Sequence, residues 1–339
     1  MDLVTQGLLG AALAQGGARR EEVRTATGIG FAAGLLADID ILIRSSADPL
    51  LNLEFHRHFT HALVFVPIGA LLAALLVWPL VRCRLGFGRT YLFALLGFSL
   101  SGVLDASTSY GTHLFWPFSA SRVAWNIISI LDPVFTLLLL GAVLWGLRQR
   151  MPTPARVGLV LAAAYLTLGW YQHDQVEKAA MDLARLRGHS VERMVVKPTL
   201  GNLLLWRSVY LSGDQFHVDA LRLVPGGTAR IYPGGKLQHL VPRRDIHVPP
   251  DSRLHRDLLR FDAFSDGHLV RHPRYESVLG DIRYAMLPDS LEPLWGIRVD
   301  MKQPDQHARY ETFRDASLAS RKRFLSLLLG KSQDEGEVE

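Results

Sequence analysis

Apolar residues fill the first half of the chain in long blocks and return in the second half only as short alternating runs. A helix that crosses a bilayer needs roughly 20 predominantly apolar residues. His61–Val81, Thr90–Leu104 and Ile127–Leu147 meet or approach that length. Leu3–Ala18, Thr25–Ile43 and Val157–Tyr171 are shorter or interrupted, the second of them by Asp38 and Asp40. The pattern predicts about six membrane segments within residues 1–172. Beyond Tyr171 it predicts a charged helix over Gln172–Arg187, with Val176, Ala179, Ala180, Leu183 and Leu186 on one face. Short β-type runs follow at Arg193–Val196, Leu203–Leu211, Phe216–Leu223 and Ala229–Tyr232. Turns at Gly213-Asp214, Pro225-Gly226-Gly227 and Pro233-Gly234-Gly235 divide them. Similar runs at 268–272, 282–287 and 294–300 and an amphipathic helix closing 303–329 complete a small mixed β domain, with Trp206 and Trp295 as packing residues. The expected fold is a polytopic α-helical membrane domain over 1–172, then a small extracytoplasmic α+β domain over 173–330 and a disordered tail over 331–339.

Charge sharpens the division. Residues 1–172 carry 12 Lys/Arg and 9 Asp/Glu, and residues 173–339 carry 25 and 23. Lys and Arg near membrane ends stay on the cytoplasmic side. The connections after the first, third and fifth segments hold Arg19, Arg20, Arg24, Arg82, Arg84, Arg89, Arg148, Arg150 and Arg156; the opposite connections hold only Arg44, Arg57 and Arg122. This asymmetry predicts that the N-terminus, residues 44–60, residues 105–126 and the soluble domain lie outside the cytoplasm, which in a bacterium with two membranes is the periplasm. The net charge of +5 is modest and no Lys/Arg cluster interleaves with aromatics, so dedicated nucleic-acid binding is not expected. Cys83, the single cysteine, excludes an internal disulfide or a thiolate metal cluster. No GxGxxG, Walker, GxSxG or HExxH motif occurs, which leaves nucleotide cofactors and serine-hydrolase or zincin chemistry without support.

The unusual polar residues gather on the predicted outer side. Asp38 and Asp40 end the second segment there, His56, His58 and His61 open the third, Asp105 ends the fourth and Asp132 opens the fifth. An ionisable residue at such a depth costs roughly 2.5–3.5 kcal/mol on insertion scales, and a divalent cation paired with several carboxylates offsets that cost. Neutral imidazoles suit zinc, manganese or iron, and aspartates add hard oxygen ligands. On a helix His58 and His61 share a face, whereas Asp38 and Asp40 lie about 200° apart, so either the helix ends there or only one of the two is a ligand. Bland readings stand beside these: Asp132-Pro133 is also an ordinary helix start, Arg57 a snorkelling interfacial arginine, and His113 an interfacial neighbour of Trp116. The histidines of residues 173–339 have no ligand spacing and read as surface residues.

MDLVTQGLLGAAL, LLADIDIL, HRHFTHAL and GVLDASTSYGTHLFWPFS followed by ISILDPVF together resemble the YdjM-like family of inner-membrane, metal-dependent hydrolases over about residues 1–150. The resemblance implies metal ligation by Asp38, Asp40, His56, His61 and Asp105, with Arg57 and Asp105 in catalytic roles. The chain departs from the family pattern at Gln6 and Ser101, where the family often has histidine. A more distant likeness to zinc-dependent phospholipases C implies attack on a phosphoester by metal-activated water, with Arg57 steadying developing charge. The expected function is thus a zinc- or manganese-dependent membrane hydrolase of a lipid-borne or lipid-linked phosphoester. The rivals are a non-catalytic scaffold or stress-response partner, its protein partner bound through residues 173–330, and a transporter.

Overall fold

The computed structural model describes residues 1–45 and 47–331. In chain order the helices are α1 (Leu3–Gly16), α2 (Val23–Leu36), α3 (Leu51–Phe55), α4 (Val66–Val81), α5 (Phe87–Ser99), α6 (Ser101–Ser107), α7 (Pro133–Gln149), α8 (Thr153–Leu186), α9 (Pro242–Asp245), α10 (Arg253–Phe264) and α11 (Leu318–Leu329). The strands are β1 (Arg193–Pro198), β2 (Leu205–Ser212), β3 (Gln215–Arg222), β4 (Arg230–Gln238), β5 (Leu269–His272), β6 (Tyr275–Asp281), β7 (Trp295–Arg298) and β8 (Arg309–Thr312). Met1–Ile43, Phe55–Tyr171 and Leu200–Asn202 make one compact unit; Arg44–Glu54, Gln172–Thr199 and the chain from Leu203 onward make another. The expected disordered tail lies, from residue 332, outside the described residues.

The first unit is helical. Among the described residues three stretches are long and apolar enough to cross a membrane: Val23–Leu42, Leu63–Val81 and Phe87–Ser107. They correspond to the second, third and fourth expected segments. The first, α1, has 14 residues and so rises about 21 Å, the fifth, α7, is apolar but has 17, and the sixth is part of the 34-residue α8. Helices surrounded by lipid gain little from burying apolar surface against one another, so small residues that let backbones approach matter more. Here a Cβ on Gly10 would stand 2.3 Å, and one on Gly97 2.6 Å, from the carbonyl oxygen of Gly30, which locks α1, α2 and α5 together.

The third segment begins later than the sequence pattern suggests. α4 starts at Val66, and Phe59–His61 and Leu63–Phe65 form two separate 3-10 turns. His58 precedes the first of them with φ −94° and ψ −115°. The backbone is therefore not helical through His58, and it does not share a helix face with His61.

Among the described residues the second unit holds two four-stranded sheets, both antiparallel throughout, in the orders β1-β2-β3-β4 and β5-β6-β7-β8. Trp206 is fully buried and Trp295 nearly so. Gly213-Asp214 makes the expected hairpin turn, with Gly213 at φ 53°. Three expectations need correction. Pro233-Gly234-Gly235 is not a turn but the middle of β4, an edge strand where proline's missing N–H is tolerated, with the register shift placed opposite at Val218/Asp219. Residues 282–287 are not a strand, because the carbonyls of Ile282 and Pro288 and that of Ser290 each turn to accept, at 2.8 Å, from the buried Arg207 guanidinium. Finally, His268 and His272 are buried rather than on the surface; His268 stacks on Phe216 with centroids 5.3 Å apart.

Arg44–Glu54, the connection between the second and third segments, packs with this second unit. Leu50 is buried with Leu254, Leu258 and Phe261, and Arg260 reaches Glu54 Oε1 at 2.6 Å and Asp48 Oδ2 at 2.9 Å. The residues joining Asp40 to His56 thus pass through the C-terminal unit.

Candidate metal centre

Chain breaks place the ligand-type side chains. α2 stops at Leu36 and tightens into a 3-10 turn over Ala37–Leu42, with Asp38 itself off helical geometry at φ −86°, ψ 15°. This break frees Asp38 and Asp40 from the spacing of a continuous helix. Asp105 sits on α6, which restarts after the non-helical Leu100. Gly102, one turn earlier on that helix, lets the His61 backbone come against it: a Cβ there would lie 2.0 Å from the His61 carbonyl oxygen. One donor atom from each of Asp38, His61 and Asp105 falls within 4.8 Å of the others, and all three residues are buried. His61 Nε2 is 3.3 Å from Asp38 Oδ1 and 3.0 Å from Asp105 Oδ2.

The remaining ring nitrogen fixes what Nε2 can be. Thr60 Oγ1 donates to Asp40 Oδ2 at 2.8 Å and lies 3.0 Å from His61 Nδ1. A hydroxyl has one proton, and an ionised carboxylate only accepts. With that proton given to Asp40, Thr60 accepts from Nδ1–H, which leaves Nε2 of the neutral ring as a lone pair between two carboxylates. His61 Nε2, Asp105 Oδ2 and Asp38 Oδ2 make no contact of hydrogen-bond geometry, although His61 Nε2 is at ion-pair distance from Asp38 Oδ1 and Asp105 Oδ2, and Arg57 Nε from Asp105 Oδ2. Buried acceptors left short of donors are costly, and a divalent cation among Asp38, His61 and Asp105 would take one ligand atom from each. The donor set of one imidazole nitrogen and two carboxylates suits zinc or manganese.

Asp40 and His56 lie outside this group of three. Asp40 Oδ2 accepts from the backbone N of Arg57 at 2.6 Å as well as from Thr60, and its Oδ1 is 3.3 Å from His56 Nδ1. In this arrangement Asp40 ties down the His56–His61 segment. Arg57 is buried, with Nε 3.0 Å from Asp105 Oδ2. Its terminal nitrogens donate to Thr108 Oγ1 at 3.2 Å and to the Met1 carbonyl at 3.1 Å, and its guanidinium lies over the Tyr110 ring. A snorkelling side chain would reach for the interface; this one is held inside. The Met1 amino group also lies against Asp105 Oδ1.

The other candidates serve structure. Asp132 caps α7, accepting from Phe135 N at 3.0 Å and from the Tyr165 hydroxyl at 2.9 Å. His113 packs at a tilt against His58, centroids 4.5 Å apart, and its carbonyl accepts from Trp116 N. Gln6 and Ser101 touch: Gln6 Nε2 donates to the Ser101 carbonyl at 3.3 Å. From sequence, Thr60 is a position of the family's His-Arg-x-x-Thr-His motif without a stated role, and Thr108 and Gly102 are not singled out. A role for Thr60 was within reach, since a hydroxyl flanking a ligand-type histidine is a common orienting group; the close approach at Gly102 leaves no trace in sequence.

A family model described as YdjM inner membrane protein matches residues 1–176. No curated protein and no solved structure matches the chain.

Proposed function

Since the chain belongs to the YdjM inner membrane protein family, we propose that it is a metal-dependent hydrolase of the inner membrane that cleaves a lipid-borne phosphoester at the outer face. One observation carries the reading: the converging donor atoms of Asp38, His61 and Asp105, buried and within 4.8 Å of one another. A bound zinc or manganese ion would be held by these three and would supply an acidified water and a polarised phosphoryl oxygen. The chain's own groups do the rest. Thr60 keeps Nδ1 protonated and so keeps Nε2 available. Arg57 holds positive charge beside Asp105, and each of its terminal nitrogens keeps a second N–H for a phosphoryl oxygen. Three apolar helices long enough to span and the arginine asymmetry support a multi-pass protein whose site and C-terminal unit face the periplasm.

The competing account is a structural ion cluster in a scaffold protein, with His61 doubly protonated between Asp38 and Asp105 and a protein partner bound by residues 173–330. The ion-pair distances at Nε2 favour it. Two measurements separate the accounts. Elemental analysis of the purified protein is expected to find about one zinc or manganese per chain, and a phospholipid panel is expected to include a member turned over by the protein but not after chelation nor by Asp105→Asn. Absence of stoichiometric metal overturns the metal centre, and full occupancy without turnover of any lipid overturns the hydrolase.

A further inference from the structure

Beside the metal cluster the first unit has a second feature, an apolar cavity of about 570 Å³ between the 37–42 turn and α4. Its rim residues Leu42, Leu75 and Leu76 are each more than half exposed. Its floor is aromatic. A Cβ on Gly69 would stand 2.4 Å from Phe98 Cζ, so the glycine lets that ring lie against α4; Phe65 follows at 6.2 Å from Phe98 and Phe59 at 5.5 Å from Phe65, centroid to centroid. Among the lining residues only Asp40 and Thr60 are polar in side chain, and their polar atoms are engaged with His56, Arg57 and His61. The groove itself therefore offers hydrocarbon contact and no polar recognition.

We propose that this groove seats one acyl chain of the lipid whose polar head meets Asp38, His61 and Asp105, a proposal that rests on the reading of that cluster as a lipid phosphoester site. Two arguments choose the occupant. The rim belongs to Val23–Leu42 and Leu63–Val81, two of the stretches apolar and long enough to span, so the medium at this face is lipid tail. And the wall is shared: the Asp40 and Thr60 that close the groove are the residues that orient His61. A chain lying in the groove thus brings its own head group to within one residue's thickness of the cluster. Bilayer tails are as apolar as the groove, so the hydrophobic effect does not favour the groove over the bulk membrane. Residence there comes from packing on the Phe59–Phe65–Phe98 floor and from the tethered head, so this chain should be held longer than lipid on any other helix face.

The test reads position directly and needs no turnover. Full-length protein is placed in bilayer discs containing a phospholipid with a photoreactive diazirine midway along one acyl chain, and after irradiation the labelled residues are mapped by mass spectrometry. Label on Leu72 and Leu76 is expected to exceed that on Leu137 and Leu144, exposed leucines of α7, by about tenfold, the ratio that about 1.4 kcal/mol of preference gives. Leu72→Trp and Leu76→Trp, which fill the groove from its partly open side, are expected to abolish the excess while metal content is unchanged. Equal labelling of α4 and α7, or an excess that survives both tryptophans, overturns the groove. Enriched labelling without turnover of any lipid leaves the groove standing and removes only the hydrolase; turnover with even labelling does the reverse.

Discussion

The backbone N–H of Arg57 donates to Asp40 Oδ2 at 2.6 Å, and it does so from a left-handed conformation, φ 60°. A side chain with a Cβ resists that conformation at a cost of about 1–3 kcal/mol, and such strain persists only where neighbours impose it. Asp40 is the neighbour: the same oxygen takes the Thr60 hydroxyl at 2.8 Å. Asp40→Asn keeps one carbonyl oxygen but loses the charge that holds both donors. Its metal affinity is expected to fall by about 10–100-fold, the usual consequence of losing a group that orients a ligand. Asp38→Asn and His61→Ala are expected to remove bound metal altogether, and His217→Ala, in the C-terminal unit, to leave it unchanged. Elemental analysis after dialysis against graded chelator ranks them. An Asp40→Asn protein with undiminished affinity would show that Asp40 does not orient the site, and one as empty as His61→Ala would show that it is itself a ligand.

The division of labour between Asp38 and Asp40 explains what was legible in the sequence. That acids and histidines meet at one membrane edge follows from their positions at segment ends and from the cost of burying them there, and Asp38, His61 and Asp105 do converge. Which of two aspartates faces the cluster depends on the break at Asp38 and on the left-handed Arg57, and neither is visible in residue type: aspartate tolerates many backbones and arginine is not a residue of left-handed turns. The connection 44–54 reads as an interfacial loop because nothing local reveals that Asp48 and Glu54 pair with an arginine some two hundred positions later. Alternation found β1, β2 and β3 well. It failed at 282–287, where the Ile282 carbonyl and, just beyond, those of Pro288 and Ser290 answer Arg207 rather than a neighbouring strand, and at Pro233, where the punctuating residues sit inside an edge strand.

Thr60 offers a sharper probe than removal of a ligand, because its proposed effect is on a tautomer. Thr60→Val keeps the side-chain volume but neither donates to Asp40 nor accepts from Nδ1, so the imidazole loses what fixes its proton on that nitrogen. Metal affinity is expected to drop by about 10–100-fold, with Thr60→Ser restoring most of it. Equal affinities for the threonine, valine and serine proteins would sink the assignment of the Nδ1–H tautomer to Thr60.

Orientation is a separate expectation, resting on Arg19, Arg20, Arg24, Arg82, Arg84, Arg89, Arg148, Arg150 and Arg156 against Arg44, Arg57 and Arg122. A reporter enzyme that works only in the periplasm is expected to be active when fused after Arg187 and silent when fused between α7 and α8, near Arg150. The opposite pattern would turn the protein over and put Asp38, His61 and Asp105 at the cytoplasmic face, which would also exclude substrates confined to the outer leaflet.

Acid sensitivity is expected of the C-terminal unit. His268 is buried against Phe216, and its Nδ1–H donates to the Asp266 carbonyl at 2.8 Å. Burial first, and then the positive charge of Arg283, push its pKa down to about 3. An imidazole in the unfolded chain titrates near 6.5. The folded value is the depressed one, so between roughly pH 6.5 and 3 the unfolded state binds the extra proton. The stability that His268 contributes is therefore complete above about pH 6.5 and is lost as pH falls, by at most about 1.4 kcal/mol per pH unit. Burial likewise lowers His217 and His239, with the same sign. Amide exchange along β3 in the full-length protein, corrected for the intrinsic rate, is expected to lose protection between pH 6.5 and 4.5. His268→Gln keeps an N–H for Asp266 without a titrating ring and is expected to reduce that loss by up to one proton's worth of slope. A variant that loses protection as steeply as the native chain would mean that the acid sensitivity lies elsewhere.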